Sequence, residues 1–163
     1  MLNLRNNFYN KKILIYGFGK TGKSCFNFLK KNRIIVYDDN YKTIPSNIKN
    51  KYFLSLKKIK KQFFDYIVVS PGINIKNCGL KNFIINNKNK IITDLDLFYF
   101  KHRDNLKITI TGTNGKSTTS KLLYEILKKH TKNVKLVGNI GNPVLSQKSI
   151  NSKTIFVIEA SSY

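Results

Sequence analysis

Residues 111–118 read Thr-Gly-Thr-Asn-Gly-Lys-Ser-Thr, which gathers two glycines, one amine and several hydroxyls into eight positions. That mixture suits a polyphosphate. Backbone N–H groups of a glycine-bearing loop, with a helix N-terminus behind them, form an anion cradle. Lys116 could reach the β- and γ-phosphates, and the hydroxyl of Ser117 or Thr118 could ligate Mg²⁺. The run before the loop (107–111) reads as a strand and the run after it (119–130) as a helix, which is the context such a loop needs. The spacing departs from the usual G-x-x-x-x-G-K-[ST], because Ile110 holds the first glycine position and Gly112 comes later. A turn with an incidental lysine is the competing reading, and the strand–loop–helix setting weighs against it.

A second glycine cluster lies upstream. Gly17, Gly19 and Gly22 have the G-x-G-x-x-G spacing, directly after the apolar run Ile13-Leu14-Ile15-Tyr16. Another apolar run, residues 34–37, ends in Asp38, where the acidic ribose ligand of an NAD site is expected. Taken alone, this fingerprint leaves a dinucleotide-binding (NAD(P)) module open, since glycines at a strand–helix turn serve any diphosphate.

The elements that must position these residues alternate. Strands are predicted at 12–17, 34–38, 66–70 and 90–92, with helices at 21–31 (Cys25, Phe28 and Leu29 on one face), 55–63 (Leu56, Ile59 and Phe63 at helical spacing) and 79–86. A second unit begins near residue 94 with a helix, then strand 107–111, helix 119–130 with the apolar stripe Leu122, Leu123, Ile126 and Leu127, a strand before the turn Gly138-Asn139-Ile140-Gly141, and a last strand near 154–163. Strand–helix alternation of this kind predicts parallel α/β sheets. His102 and His130 are expected at the surface, at helix ends, without a role.

Composition sets outer bounds. The chain has 163 residues, a net charge of +22 and a hydrophobic fraction of 41%, enough for a packed core. Lys, Asn, Ile, Phe and Tyr are abundant together while Ala160 is the single alanine. A/T-rich codons explain that pattern, and the lysines are scattered rather than gathered in a stripe, so no nucleic-acid partner is inferred. Cys25 and Cys78 have no metal or redox spacing, in keeping with a reducing cytoplasm. The N-terminus lacks the apolar core of a signal peptide, and no run approaches membrane-spanning length, so no membrane partner is expected.

The stretches at 17–24, 70–73 (Ser-Pro-Gly-Ile), 93–98 (Thr-Asp-Leu-Asp-Leu-Phe), 110–118, 138–143 and 158–163 (Ile-Glu-Ala-Ser-Ser-Tyr) occur in an order and spacing that resemble the Mur ligases. These are ATP-dependent amide-forming enzymes of peptidoglycan precursor synthesis. The likeness is greatest to the branch that adds D-glutamate, with another Mur ligase as the alternative within the family. The resemblance implies a Rossmann-like parallel-sheet domain (1–93) that holds the UDP part of UDP-N-acetylmuramoyl-L-alanine rather than NAD. It further implies the start of a P-loop-type α/β ATP-binding domain (94–163).

On this resemblance Gly17, Lys20, Thr21 and Gly22 would line the uridine diphosphate, Asp38 and Asp39 would lie near the uracil or ribose, and Ser70 with Gly72 would close the pocket. The family often has a hydroxyl and a basic residue after the strand-ending Asp, where this chain has Asp39-Asn40. ATP would rest on Gly112, Thr113, Asn114, Gly115, Lys116, Ser117 and Thr118. Glu159 would share Mg²⁺ with Ser117 or Thr118, while Asn139 and Ser161 would contact the muramoyl substrate. Lys116 and Glu159 are thus the catalytic candidates. The implied reaction has two steps: the alanyl carboxylate takes the γ-phosphoryl group as an acyl phosphate, and the amine of D-glutamate displaces phosphate. The family has further sequence beyond these motifs, so the chain is expected to be an N-terminal fragment, inactive alone and monomeric when complete.

Overall fold

The run Lys-Ile-Leu-Ile-Tyr forms strand β1 (Lys12–Tyr16), whose last four residues are fully buried. A strand apolar on both faces belongs inside a parallel sheet covered from both sides. β2 (Arg33–Tyr37) pairs along one edge of β1 and β3 (Tyr66–Val69) along the other, with the short β4 (Ile91–Ile92) beyond β3. All three pairings are parallel, and the order is β2-β1-β3-β4. The structure, a computed structural model, describes residue 8 and residues 10–138 and 143–160. The chain divides into two compact units, Met1–Leu97 and Phe98–Tyr163.

In the first unit, α1 (Lys20–Leu29) follows β1, α2 (Ser46–Tyr52) and α3 (Leu56–Ile59) join β2 to β3, and α4 (Lys81–Asn86) leads to β4. α1 buries Cys25, Phe26 and Leu29, while Phe28 is only half-buried. The Phe26 ring meets Phe18 and Tyr52 edge-on, at 5.8 and 4.9 Å between centroids. The helix predicted to run to Phe63 stops at Ile59. The turn that follows brings Phe64, not Phe63, into the core, and Phe63 is 67% exposed. Its ring instead receives the Lys90 ammonium, 3.7 Å from the centroid. α5 (Asp94–Lys101), whose residues from Phe98 on belong to the second unit, opens with a reciprocal cap: the Thr93 N–H and hydroxyl donate to Asp96 Oδ2 at 2.7 and 2.8 Å, and the Asp96 N–H donates to Thr93 Oγ1 at 3.3 Å.

In the second unit, β5 (Lys107–Ile110), α6 (Lys116–His130), β6 (Val134–Gly138) and β7 (Ile155–Glu159) form a parallel sheet of order β5-β7-β6. Central β7 contributes the fully buried Phe156, Val157 and Ile158. The stripe expected on α6 is only partly covered: Leu123 and Leu127 are half-buried, while Leu122 and Ile126 are 61% and 47% exposed. His102 also departs from expectation. It is buried, its ring 4.9 Å from Phe98 and 5.2 Å from Phe156, because α5 ends with its last turn laid against the sheet core. His130 is exposed as expected.

Candidate nucleotide sites

The first site forms where β1 and β3 end. Gly17 takes φ +91°, a left-handed conformation open to glycine, and turns the chain sharply from β1 towards α1. Its N–H donates to Tyr37 O at 2.9 Å, and its carbonyl accepts the Ser70 hydroxyl at 2.9 Å. Gly22 packs against this turn: a Cβ placed there would lie 1.9 Å from Gly17 O. Two of the three fingerprint glycines therefore let the helix start touch the strand end. The first helical hydrogen bond runs from Lys23 N–H to Gly19 O, so the amides of residues 20–22 have no acceptor within the helix.

These features border a cleft of about 380 Å³, lined by Gly17, Gly19, Lys20, Thr21, Asp38, Thr43, Ser70, Pro71, Gly72 and Ile73. Free helix amides and Lys20 at one wall make it suited to a diphosphate. Six of the eight first-domain residues expected at a UDP site are in the lining. Gly22 lies beneath the turn instead, and Asp39 is outside the lining. Asp38 is engaged by two backbone donors: Oδ2 accepts the Phe18 N–H at 2.6 Å and Oδ1 the Asn40 N–H at 2.8 Å. Asp39 Oδ2 accepts the Tyr16 hydroxyl and, at 3.4 Å, the Gly79 N–H. Thr43 was absent from the sequence-based expectation; a 3₁₀ turn over Tyr41–Thr43 brings it to the cleft, with its hydroxyl donated to Asn40 O at 2.9 Å. A hydroxyl soon after a strand-ending Asp is the signal that could have found it.

The second site lies between β5 and α6. Gly112 and Gly115 have φ +146° and +76°, and Gly115 caps α6. Thr119 N–H makes the first helical bond, to Gly115 O, which leaves the amides of Lys116, Ser117 and Thr118 at the open helix end. Thr113, Asn114, Ser117 and Thr118 are exposed. The Lys116 ammonium folds back over the loop and donates to the carbonyls of Gly112 and, at 3.2 Å, Thr113. An anion in the loop would offer that ammonium stronger, charge-assisted partners.

Glu159 ends β7, paired with Ile110 of β5 on one side and Gly138 of β6 on the other. The Ala160 N–H donates to Ile110 O at 2.9 Å, so the strand end that carries Glu159 is held beside the end of β5, where the loop departs. Glu159 is 5% exposed, and its Oε2 has no hydrogen-bond partner among the described residues. A buried carboxylate oxygen without a donor is a costly arrangement that a cation would relieve. Among the described residues no cluster of three or more His, Cys, Asp or Glu could hold a metal. One or two carboxylates with waters and substrate phosphates are the donor set Mg²⁺ commonly uses, and the Glu159 carboxylate fits such a set. Asn139 and Ser161 lie outside the described residues.

Burial, with Asp94 nearby, pushes the Cys25 thiol far up, so it stays protonated. Burial first, and the bond to Asp39 second, do the same to the Tyr16 phenol. No helix among the described residues is long and apolar enough to cross a membrane.

Comparison with known proteins relates the chain to one family. Residues 11–93 match the family model of the Mur ligase MurD-like N-terminal domain, and residues 110–163 that of the Mur ligase middle domain. The UDP-N-acetylmuramoylalanine--D-glutamate ligase of Rickettsia bellii (strain RML369-C) is 40% identical over 158 residues, covering 94% of this chain and 34% of the relative. The enzyme of the same name from Buchnera aphidicola subsp. Schizaphis graminum (strain Sg) is 38% identical over 171 residues, covering 96% and 36%. The chain thus spans about a third of the length of these curated relatives. A solved UDP-N-acetylmuramate:L-alanyl-gamma-D-glutamyl-meso-diaminopimelate ligase from Neisseria meningitides aligns at TM-score 0.49 and 19% identity, over 92% of this chain and 52% of that one. With two of the family's domain models matched in succession along it, the chain belongs to the Mur ligase family.

Proposed function

We propose that this chain supplies the uridine-nucleotide cleft and the ATP loop of a ligase that joins D-glutamate to UDP-N-acetylmuramoyl-L-alanine, through an acyl phosphate. The observation that carries the reading is the cleft of about 380 Å³ at the N-terminus of α1, bordered by Lys20, Asp38 and Ser70, in a chain 40% identical to a ligase of that name. Gly17, Lys20, Thr21, Ser70 and Gly72 would hold the diphosphate and Asp38 the ribose, with Gly22 keeping the turn closed and Asp39 next to it. Asn139 and Ser161 would meet the muramoyl part.

ATP would rest on Gly112, Thr113, Asn114, Gly115, Lys116, Ser117 and Thr118. There Lys116 exchanges loop carbonyls for phosphate oxygens. Glu159 with Ser117 or Thr118 would hold Mg²⁺, which neutralises charge on a moving phosphoryl group. The protein would act in the cytoplasm as a monomer.

Calorimetric titration of the chain with UDP and NAD tests the cleft. Saturable binding of UDP, displaced by UDP-N-acetylmuramoyl-L-alanine and indifferent to NAD, is the expected result. Tight NAD binding without UDP competition would establish the dinucleotide reading instead.

A further inference from the structure

Asp39 follows the cleft-lining Asp38 but is itself outside the lining, and its carboxylate is engaged elsewhere. Its Oδ2 accepts from Tyr16, the residue immediately before Gly17, and from the Gly79 N–H. Gly79 closes the loop that starts with the cleft residues Ser70, Pro71, Gly72 and Ile73. One carboxylate thus ties together the three segments that build the cleft: the end of β1, the end of β2 and the loop after β3.

Two further observations give the knot weight. Tyr16 is fully buried, so its hydroxyl needs an acceptor and Asp39 supplies it. At Gly79 a Cβ would stand 2.6 Å from Asp39 Oδ1 and 3.3 Å from the Tyr37 hydroxyl, so the loop backbone meets the carboxylate at a position with no room for a side chain.

We propose that Asp39 is a positioning residue: it fixes Gly17, Asp38 and the 70–73 segment relative to one another and so sets the affinity of the cleft for a nucleoside diphosphate, without touching the nucleotide. The proposal rests on reading the cleft as a nucleoside diphosphate site.

The test combines UDP and CDP titrations with hydrogen exchange on the 163-residue chain. Asp39→Ala and Tyr16→Phe are each expected to weaken UDP by about threefold or more, the scale of one lost hydrogen bond. CDP should weaken by the same factor, because nothing that reads the base has been removed. The double variant should be no weaker than Asp39→Ala. Asp39→Asn, which keeps an acceptor for Tyr16, should recover most of the affinity, and Gly79→Ala should mimic the loss. Without ligand, Asp39→Ala should speed exchange at Gly17, Phe18 and residues 70–79. A changed UDP-to-CDP ratio, with Tyr16→Phe silent, would show that Asp39 touches the nucleotide and overturn the proposal. Unchanged affinity and exchange in Asp39→Ala would overturn it too. If the wild-type chain binds neither nucleotide, the nucleotide reading of the cleft fails and takes the affinity claim with it, while exchange separately decides whether Asp39 holds the three segments.

Discussion

Lys116 and Glu159 differ in what the folded chain gives them. Lys116 already has acceptors in the carbonyls of Gly112 and Thr113, whereas Glu159 Oε2 has no donor among the described residues. Lys116→Ala should therefore fold normally and lose function: in a complete ligase turnover should fall by roughly 10²-fold, the scale of one well-placed charge-stabilising donor. Steady-state phosphate release measures it. Glu159→Gln should instead raise the Mg²⁺ concentration needed for half-maximal rate, because an amide replaces the buried carboxylate oxygens a cation would use. His102 gives a pH prediction. Burial between Phe98 and Phe156, and then repulsion from Lys101 and Lys107, hold its imidazole below the ordinary 6.5. Between that lowered value and 6.5 the unfolded chain binds a proton that the folded chain refuses. Stability is thus intact above 6.5 and declines as pH falls towards the folded value. Urea midpoints at pH 7.5 and pH 5.5 should show the decline, and His102→Phe should reduce it.

The glycine fingerprint shows how an element's junction divides labour between neighbouring residues. A Cβ at Gly22 would lie 1.9 Å from Gly17 O, a backbone atom held by β1, whereas a Cβ at Gly19 meets nothing within 4 Å. Gly22→Ala should cost about 1–3 kcal/mol of stability, as overpacking does. Gly19→Ala should leave the urea midpoint nearly unchanged and weaken UDP, because its methyl would project where the cleft is lined. The strands were legible for the reason that makes β1 central: a four-residue apolar run punctuated by glycine has few other uses. Phe63 and Phe64 were not, because one extra residue in the turn after α3 decides which ring faces the core. His102 misled because a helix-end histidine reads as solvated until the sheet beneath it is known. At the cleft, Gly17, Lys20, Thr21, Asp38, Ser70 and Gly72 could be read from their motifs. The Asp39–Tyr16–Gly79 knot depends on contacts between segments far apart in sequence, which no local pattern encodes.

At the scale of the molecule, 30 lysines and arginines face eight acids, and the excess must be lodged somewhere. Among the described residues two ion pairs form, Lys11–Asp65 at 3.8 Å and Arg103–Asp104 at 3.6 Å, the latter between highly exposed side chains. Several other lysines settle on aromatic faces instead: Lys49 over Tyr41 at 4.4 Å, Lys128 over Tyr124 at 5.3 Å and Lys12 over Phe64 at 5.5 Å. Such contacts stabilise each cation locally and leave the net charge of +22 unneutralised, so the folded chain carries a long-range self-repulsion that unfolding relaxes. Salt screens that repulsion over a Debye length of about 10 Å at 0.1 M and about 3 Å at 1 M. The thermal midpoint should therefore rise as sodium chloride is raised from about 0.02 M to about 0.5 M, opposite to the response of a protein held by surface ion pairs. The same screening should weaken UDP binding, because the field that strains the fold also attracts an anionic ligand. Differential scanning calorimetry and UDP titration across one salt series read both effects. A midpoint that falls with salt would show that attractive pairs, not repulsion, dominate the surface.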